Sequence, residues 1–196
     1  MDERTVRAQL YSLLAARLYQ PDDAAWQAIC SGKWAGAVRT SLAALELSLA
    51  VPLSLGACPE DAARRDYWRA FLDPARRVRP VESLFKVWTQ DPTAELPLAG
   101  EKGWLGGDPA AHLLSLYTAL GIAIPPELGY APDHLALELE FMGLLVRHGT
   151  PEQQEQFRRQ HLDWLPDLVE DARRREAPPS YIDLLTLVSA AVAARL

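Results

Sequence analysis

The 196-residue sequence has few of the features that disulfide-stabilised, zinc-binding or membrane-spanning proteins require. Its two cysteines, Cys30 and Cys58, are far apart and form no CxxC pair, so we expect neither a disulfide framework nor a zinc site. No apolar run approaches the roughly 18 residues that a membrane span needs. Because Asp2, Glu3 and Arg7 interrupt the first residues, we expect no secretory signal. These absences predict a cytoplasmic protein with reduced thiols and no stable membrane insertion.

The sequence also lacks an excess of positive charge, since its formal net charge is −6 at pH 7. Domains that bind nucleic acid normally carry a basic face that neutralises phosphates, so nucleic acid is not an expected partner. Apolar residues make up 49% of the chain and charged residues 23%, which is typical of a globular protein. The length is sufficient for one domain with a sizeable core, and we predict a single domain over residues 1–196.

Sustained alternation of apolar and polar residues is missing too, whereas apolar residues recur at three- and four-residue spacing along the chain. This spacing predicts an all-α, bundle-like fold of about eight to ten helices. We expect helices over 4–19, 23–30, 35–49, 59–73, 81–90, 109–120, 134–149, 151–175 and 181–195. Asp108 is the expected N-cap of the 109–120 helix, and Pro166 is expected to kink or split the 151–175 helix.

Residues 74–107 form the least regular region, because prolines and glycines are concentrated there. Apart from the short helix expected over 81–90, the region reads as loop. It is either a hinge between lobes 1–73 and 108–196 or a long surface loop of one domain.

The stretch 130-YAPDHLALELEFMGLLVRHG-149 combines polar residues with an almost continuous apolar run. Asp133 and His134 lie where a central helix should begin, and Glu138 and Glu140 lie within it. His134 and Glu138 are four residues apart and therefore share one helix face. Three interpretations stay open: a structural one, in which Asp133 caps the helix and His134 hydrogen-bonds Glu138, a ligand-binding surface, or a catalytic pair.

Motifs that would support catalysis are absent elsewhere in the sequence. There is no GxSxG elbow, no HExxH and no Walker loop, and His112, His148 and His161 are scattered over separate predicted helices. We therefore expect no catalytic residues, no metal and no cofactor. A small metal-dependent hydrolase that uses His134 and Glu138 is the alternative function.

Three segments, taken together, resemble the TorD/DmsD/NarJ family of cytoplasmic chaperones for molybdenum redox enzymes. They are 67-YWRAFLDPARRVRPVESLFKVW-88, 130-YAPDHLALELEFM-142 and 157-FRRQHLDWLPDLVEDARR-174. They match an aromatic pair before a Pro-x-Glu-Ser turn, a Tyr-x-Pro-Asp-His stretch that opens a central helix, and a later His-Leu-x-x-Trp. The chain departs from the common pattern at Val81 and Ala131, so the resemblance does not identify the client.

The resemblance implies an all-helical chaperone without catalytic chemistry. Its partner would be the catalytic subunit of a molybdopterin-dependent oxidoreductase, often bound through a twin-arginine signal peptide. Binding would keep the apoenzyme open for cofactor insertion and delay its export. The resemblance allows a monomer or a dimer, and the 74–107 region is compatible with domain exchange.

Matching positions give the residues expected to bind a peptide. They are Tyr67, Trp68, Phe71, Pro80, Glu82, Ser83, Leu84, Trp88, Tyr130, Pro132, Asp133, His134 and Glu138. A peptide with two arginines and an apolar segment needs carboxylates and an apolar or aromatic groove. We expect Asp133, Glu82 and Glu138 to supply the charge at a rim where loop 76–83 meets the start of the central helix. His161 and Trp164 match the later pair of the family.

Overall fold

The chain folds into α-helices, as the spacing of its apolar residues predicts. The computed structural model describes residues 2–194. The helices are α1 (Glu3–Ala16), α2 (Asp23–Cys30), α3 (Lys33–Ala44), α4 (Glu60–Tyr67), α5 (Gly107–Ala119), α6 (Leu135–His148), α7 (Pro151–His161), α8 (Leu165–Arg174) and α9 (Pro179–Ala193). Short turns lie at Leu53–Leu55, Glu82–Leu84 and Pro126–Leu128, and a π-helical turn, Trp68–Leu72, extends α4. Within the described residues there is no β-strand, only an isolated bridge between Val81 and His134.

Helices α1 and α6 pack closely at the centre of the molecule. Gly143 allows this approach, because a Cβ atom there would lie 3.4 Å from the Ala8 carbonyl oxygen and 3.5 Å from the Tyr11 Cβ. Leu10 of α1 and Leu139 of α6 are fully buried in the core. Burial around nearly the whole circumference of α6 explains why its sequence is almost continuously apolar.

One apolar core includes residues from both sides of the 74–107 region, from Ala8 in α1 to Val192 in α9. α3 packs on α1, and α8 packs on α9. None of the helices described within residues 2–194 is both long enough and apolar enough to cross a membrane. Whether the two lobes can separate or exchange at 74–107 stays a prediction.

The helix expected over 81–90 is wrong, since only Glu82–Leu84 forms a 3-10 turn. Tertiary hydrogen bonds replace helical ones there: the Glu82 N–H donates to the Asp133 carbonyl at 3.0 Å. The Trp88 and Thr89 N–H groups donate to the carbonyls of Glu101 and Ala99 at 2.9 and 3.0 Å. Short-range periodicity carries no information on these distant partners.

Other expected helix boundaries also differ from the structure. The 35–49 helix ends at Ala44, and Glu46 follows with a left-handed φ of 53°. The 59–73 helix changes to a π turn after Tyr67, and the 151–175 segment divides into α7 and α8 near Pro166. This division agrees with the expectation that Pro166 splits the segment.

Asp108 is not the N-cap of α5, because the helix begins at Gly107, two residues before the expected start, and its N-cap is Gly106. The Asp108 carboxylate instead accepts hydrogen bonds from the Thr89 hydroxyl at 2.8 Å and the Gln90 N–H at 2.9 Å. Gly107 has a φ of 73°, and a Cβ there would lie 2.0 Å from the Trp88 carbonyl oxygen. The carboxylate therefore holds the 88–90 segment against the start of α5.

Candidate functional site

The turn at residues 80–84 pairs directly with the start of α6. The Leu135 N–H donates to the Pro80 carbonyl at 2.9 Å, and the Ser83 N–H donates to the Asp133 carboxylate at 2.7 Å. With the Val81–His134 bridge, these bonds join the two segments that the sequence predicts to meet. Asp133 is fully buried, so its carboxylate holds the turn in place from inside the protein.

His134, rather than Asp133, is the N-cap of α6. Its Nδ1 accepts a hydrogen bond from the Ala136 N–H at 3.2 Å, which satisfies a helix N–H that would otherwise lack a partner. The structural interpretation of the sequence was therefore wrong in detail: Asp133 bonds Ser83, and the imidazole bonds Ala136 instead of Glu138. Burial lowers the pKa of His134 to about 4, so the ring is neutral at pH 7.

Beneath this turn lies a group of polar side chains that we call the polar cluster. It consists of Glu82, Lys86, Glu138, His161 and Trp164. Glu82 lies 2.8 Å from the His161 Nδ1 through one oxygen and 2.7 Å from the Lys86 Nζ through the other. The Trp164 indole N–H donates to Glu138 at 3.3 Å and to the His161 carbonyl at 2.7 Å. The cluster thus connects the 80–86 segment with α6, α7 and the residue before α8.

Electrostatics within the cluster favour a neutral Glu138. Complete burial raises the pKa of Glu138 well above its ordinary value of 4.5, and the charges of Glu82 and Asp133 raise it further. Burial likewise raises the pKa of Asp133, although the bonds from Ser83 offset part of this effect.

Lys86 balances the negative charge of the cluster. Burial by itself would lower the pKa of Lys86, but Glu82 and Asp163 raise it, so the ammonium group stays charged. Its Nζ lies 2.6 Å from the Asp163 carboxylate as well. Glu82 and Lys86 therefore compensate each other's charge in the buried cluster, as buried charges require.

A pair of stacked histidines connects the polar cluster to the surface. The Nε2 of His161 lies 2.8 Å from the Nδ1 of the exposed His112, and the ring centroids are 4.9 Å apart. Burial and the neighbouring His161 lower the pKa of His112. Within residues 2–194, no group of three or more histidine, cysteine or acidic side chains is arranged to hold a metal ion.

A groove of about 460 Å³ opens on the outer side of the 80–81 turn. We call it the aromatic groove. Its lining residues are Leu18, Tyr19, Gln20, Tyr67, Phe71, Leu72, Arg77, Val78, Arg79, Pro80, Val81, Leu105, Glu127, Leu128, Tyr130 and His134. Tyr67 and Phe71 make an edge contact with ring centroids 5.4 Å apart, while Tyr130 is 68% exposed. The groove therefore offers apolar and aromatic surface that no other part of the described chain covers.

Acidic side chains lie near one of the lining residues, Tyr19. The Tyr19 hydroxyl donates to the Glu140 carboxylate at 3.1 Å. Burial raises the pKa of Tyr19, and the charges of Glu140 and Glu127 raise it further. The groove also contains Arg77 and Arg79, so it presents both signs of charge.

The structure brings only part of the predicted peptide site together. Tyr67, Phe71, Pro80, Tyr130 and His134 line the aromatic groove. Trp68 follows Tyr67 in the π turn and is 49% exposed, but it does not line the groove.

The predicted charged rim is wrong as to exposure. Glu82, Asp133 and Glu138 are buried and bonded to protein groups, and Pro132 and Ser83 are buried with them. Burial depends on tertiary packing, which the motif does not reveal.

Leu84 and Trp88 lie away from the aromatic groove. Leu84 lines a second, mainly charged groove of about 350 Å³ with Arg79, Lys102 and α8 residues. The Trp88 carbonyl and ring pack against Gly107.

Sequence reasoning missed several residues of the aromatic groove. They are Leu18, Tyr19, Gln20, Leu72, Arg77, Val78, Arg79, Leu105, Glu127 and Leu128. Tyr19 follows the apolar stripe of α1, and Arg77 and Arg79 lie in the 76–83 loop that the sequence predicts to form the rim. These three residues could therefore have been predicted to line the groove. Leu105 and Glu127 carry no local signal, because they come near the groove only through the tertiary fold.

The fold and this site define an all-helical protein in which the aromatic groove lies next to the buried polar cluster. Residues 31–170 match the family described as nitrate reductase delta subunit, and the chain belongs to that family. It is 29% identical over 103 residues to the chaperone protein TorD of Vibrio parahaemolyticus serotype O3:K6 (strain RIMD 2210633), a match that covers 46% of this chain. The match spans 48% of that relative, which is about half its length.

A solved structure has the same fold. It is the crystal structure of a candidate redox enzyme maturation protein from Archaeoglobus fulgidus, with a TM-score of 0.57 and 20% sequence identity. The alignment covers 94% of this chain and 91% of that one.

These comparisons confirm the resemblance inferred from the three sequence segments and the all-α fold. The relatives are a chaperone and a maturation protein rather than enzymes, in agreement with the expected absence of catalysis. They give no support to a hydrolase that uses His134 and Glu138.

Proposed function

We propose that this protein is a cytoplasmic maturation chaperone that binds the catalytic subunit of a molybdenum-cofactor oxidoreductase. Family membership supports the class of function, and the aromatic groove supports the mode of binding. The chaperone holds the subunit while its cofactor is inserted and delays export until insertion is complete. It needs no cofactor of its own.

The aromatic groove is the observation that carries the proposal, and a twin-arginine signal peptide is its proposed occupant. Such a peptide has two arginines followed by an apolar segment. Leu72, Phe71 and Tyr130 offer apolar and aromatic surface for that segment. Glu127 and Glu140, beside Tyr19, offer carboxylates for the guanidinium groups.

In this proposal the buried acids position the groove instead of touching the peptide. Asp133 holds Ser83, and Glu82 holds Lys86 and His161. These bonds keep the 80–81 turn, which lines the groove, fixed against α6. Replacing Asp133 or Glu82 would then weaken binding through loss of groove shape and would also lower stability.

Calorimetric titration with a twin-arginine signal peptide from a molybdoenzyme, beside a twin-lysine control, tests the proposal. We expect saturable micromolar or tighter binding that weakens with the control peptide, because lysine cannot form paired bonds to a carboxylate. Tyr130→Ala should weaken binding about tenfold, since it removes an exposed aromatic contact. Leu53→Ala is the matched control: Leu53 is 93% exposed and lies outside the groove, so affinity should not change.

Two results would separate the parts of the proposal. If the peptide fails to bind but the mature catalytic subunit binds and Tyr130→Ala weakens that complex, the groove recognises the folded client and the signal-peptide part is wrong. If neither binds, the chaperone function itself is contradicted.

A further inference from the structure

The end of α2 and the segment before α4 lie side by side, far from the polar cluster in sequence. The Cys58 N–H donates a hydrogen bond to the Cys30 carbonyl at 3.1 Å. Two residues further on, a Cβ added to Gly32 would lie 3.3 Å from the Ala57 backbone nitrogen. Two separate backbone contacts therefore hold Cys30 and Cys58 next to each other.

The thiols of Cys30 and Cys58 are also neighbours. Both are reduced and partly buried. Partial burial raises the pKa of the Cys30 thiol, and the Cys58 thiol raises it further through its charge and a hydrogen bond. Disulfides need Cα atoms roughly 4.4–6.8 Å apart. The Cys58 N–H to Cys30 carbonyl bond places the two Cα atoms at about that separation, because besides the bond itself only one carbonyl group and one N–Cα bond lie between them. Closing a bond here therefore requires little movement of the chain.

We propose that Cys30 and Cys58 form a reversible disulfide, which makes this pair a redox modification site that joins α2 to α4. The oxidant is a small-molecule disulfide. The thiolate of one cysteine attacks it, forms a mixed disulfide and releases one thiolate of the oxidant. The second cysteine, as its thiolate, then attacks the mixed disulfide, so the Cys30–Cys58 bond forms and the other half of the oxidant leaves. The protein loses two protons and two electrons, and the oxidant is reduced to two thiols.

The bond would restrain α2 against α4, whose last residue, Tyr67, lines the aromatic groove. Trp26 of α2 makes an edge contact with Tyr67 of α4 at 5.9 Å between ring centroids, and Tyr67 lines the groove. Arg64 of α4 also lies over the Trp26 ring. A covalent link between the same helices limits their separation in the unfolded chain and fixes their relative position in the folded one.

The test uses the full-length reduced protein, incubated under native conditions with oxidised glutathione at pH 8.5, then alkylated and digested with trypsin without reduction. We expect the peptides 18–33 and 40–64, which contain Cys30 and Cys58, to be recovered as one linked species. The matched variants Cys30→Ser and Cys58→Ser should instead retain a single glutathione adduct. Because the pKa of Cys30 is raised, linking should be slower at pH 7 than at pH 8.5.

Thermal unfolding gives an independent readout. The oxidised protein should melt about 5 °C or more above the reduced one, and a reducing agent should reverse the shift. The two serine variants should show no such difference. The proposal is overturned if the native wild-type protein accumulates two glutathione adducts or links only between chains, with no joined peptide.

Discussion

Glu82 is a fully buried charge that interacts with two cationic or titratable groups from different parts of the chain. His161 comes from the end of α7, and Lys86 follows the 80–84 turn. Breaking a buried ion pair costs much more than breaking an exposed one, because the remaining partner loses its compensation while staying out of water. The Glu82 carboxylate therefore fixes the turn against α7, in addition to the bonds that join the turn to Asp133 and Leu135.

Glu82→Gln is expected to lower the free energy of unfolding by about 3 kcal/mol, since the variant keeps the shape but removes the charge. Urea denaturation followed by circular dichroism measures this. Glu60→Gln is the control: Glu60 pairs with Arg64 at the surface, and its loss should cost about 0.5 kcal/mol. Equal costs for the two variants would show that the polar cluster does not hold the turn.

Glu138 gives stability a pH dependence of defined sign. Its pKa is raised in the folded state, so the folded protein binds more protons than the unfolded chain above the ordinary pKa of 4.5. The contribution of Glu138 to the free energy of unfolding should therefore be greatest below pH 4.5 and should fall as pH rises toward its folded-state pKa. The slope contributed by Glu138 has a limit of about 1.4 kcal/mol per pH unit.

Glu138→Gln should remove that slope. The amide is uncharged like the protonated acid, and its oxygen can accept from the Trp164 indole N–H. Denaturant titrations between pH 4 and pH 8 should show the stability of the variant relative to wild type increasing as pH rises. His134, whose lowered pKa gives a slope of opposite sign, is present in both proteins. Parallel curves would contradict a protonated Glu138. Asp133 is the nearby acid that also has a raised pKa, and it is present in both proteins.

At the scale of elements, close approaches of the backbone fix how α5 and α6 are placed. Gly143 allows α1 to lie against α6, and Gly107 allows the Trp88 carbonyl to reach the start of α5. The second contact is the tighter one. It also requires a left-handed backbone, which glycine adopts without steric cost.

Gly107→Ala is expected to cost at least about 3 kcal/mol, because it combines an unfavourable φ with a Cβ that would overlap the Trp88 carbonyl. Gly36→Ala is the matched control: Gly36 lies within α3, and a Cβ there meets nothing within 4 Å. That change should stabilise by about 0.5–1 kcal/mol through helix propensity and a less flexible unfolded chain. Thermal melts of both variants test the pair, and similar melting temperatures would contradict it.

The spacing of apolar residues predicts those helices in which the buried residues lie on one face. α1, α2, α6 and α9 lie close to their expected ranges for this reason. The 81–90 segment fails because its N–H groups bond to Asp133, Glu101 and Ala99, all distant in sequence. Asp108 has a residue type favoured for capping but bonds Thr89 and Gln90, so local preference alone misplaced it.

At the scale of the whole molecule, the apolar core is shared by segments on both sides of 74–107. Because the core is shared, unfolding of one part would expose the apolar core residues of the other part. This favours one cooperative unfolding transition. Trp26 and Trp34 report on the first part and Trp164 on the second, and all are buried.

We therefore expect unfolding curves from tryptophan fluorescence and from far-ultraviolet circular dichroism to coincide in urea. Two variants that each keep one tryptophan, Trp34 or Trp164, with phenylalanine at the other five positions, report on the two parts separately. Two separate midpoints would instead indicate that 74–107 joins independently stable lobes, as the hinge interpretation of the sequence requires.

The sequence predicts several residues of the candidate site, but it does not predict that the acidic side chains of the site are buried. The family motifs point to Tyr67, Phe71, Pro80, Tyr130 and His134, which do line one groove. They cannot show that Glu82, Asp133 and Glu138 turn inward, since burial of a carboxylate depends on partners such as His161 that are remote in sequence. Of the acids near the groove, Glu140 lies within the segment 130–142 that resembles the family, whereas Glu127 belongs to no recognised motif.

The two ends of the loop at residues 88–101 are hydrogen-bonded to each other, and this makes the loop suitable for inserting another sequence. Backbone bonds from Trp88 to Glu101 and from Thr89 to Ala99 close the excursion, so its two ends stay together whatever lies between them. Extra length between fixed ends adds little closure entropy, because that term grows only with the logarithm of length. Residues 91–98 are therefore a permissive place to insert a fluorescent reporter or an affinity tag while the groove and the α5 start keep their geometry.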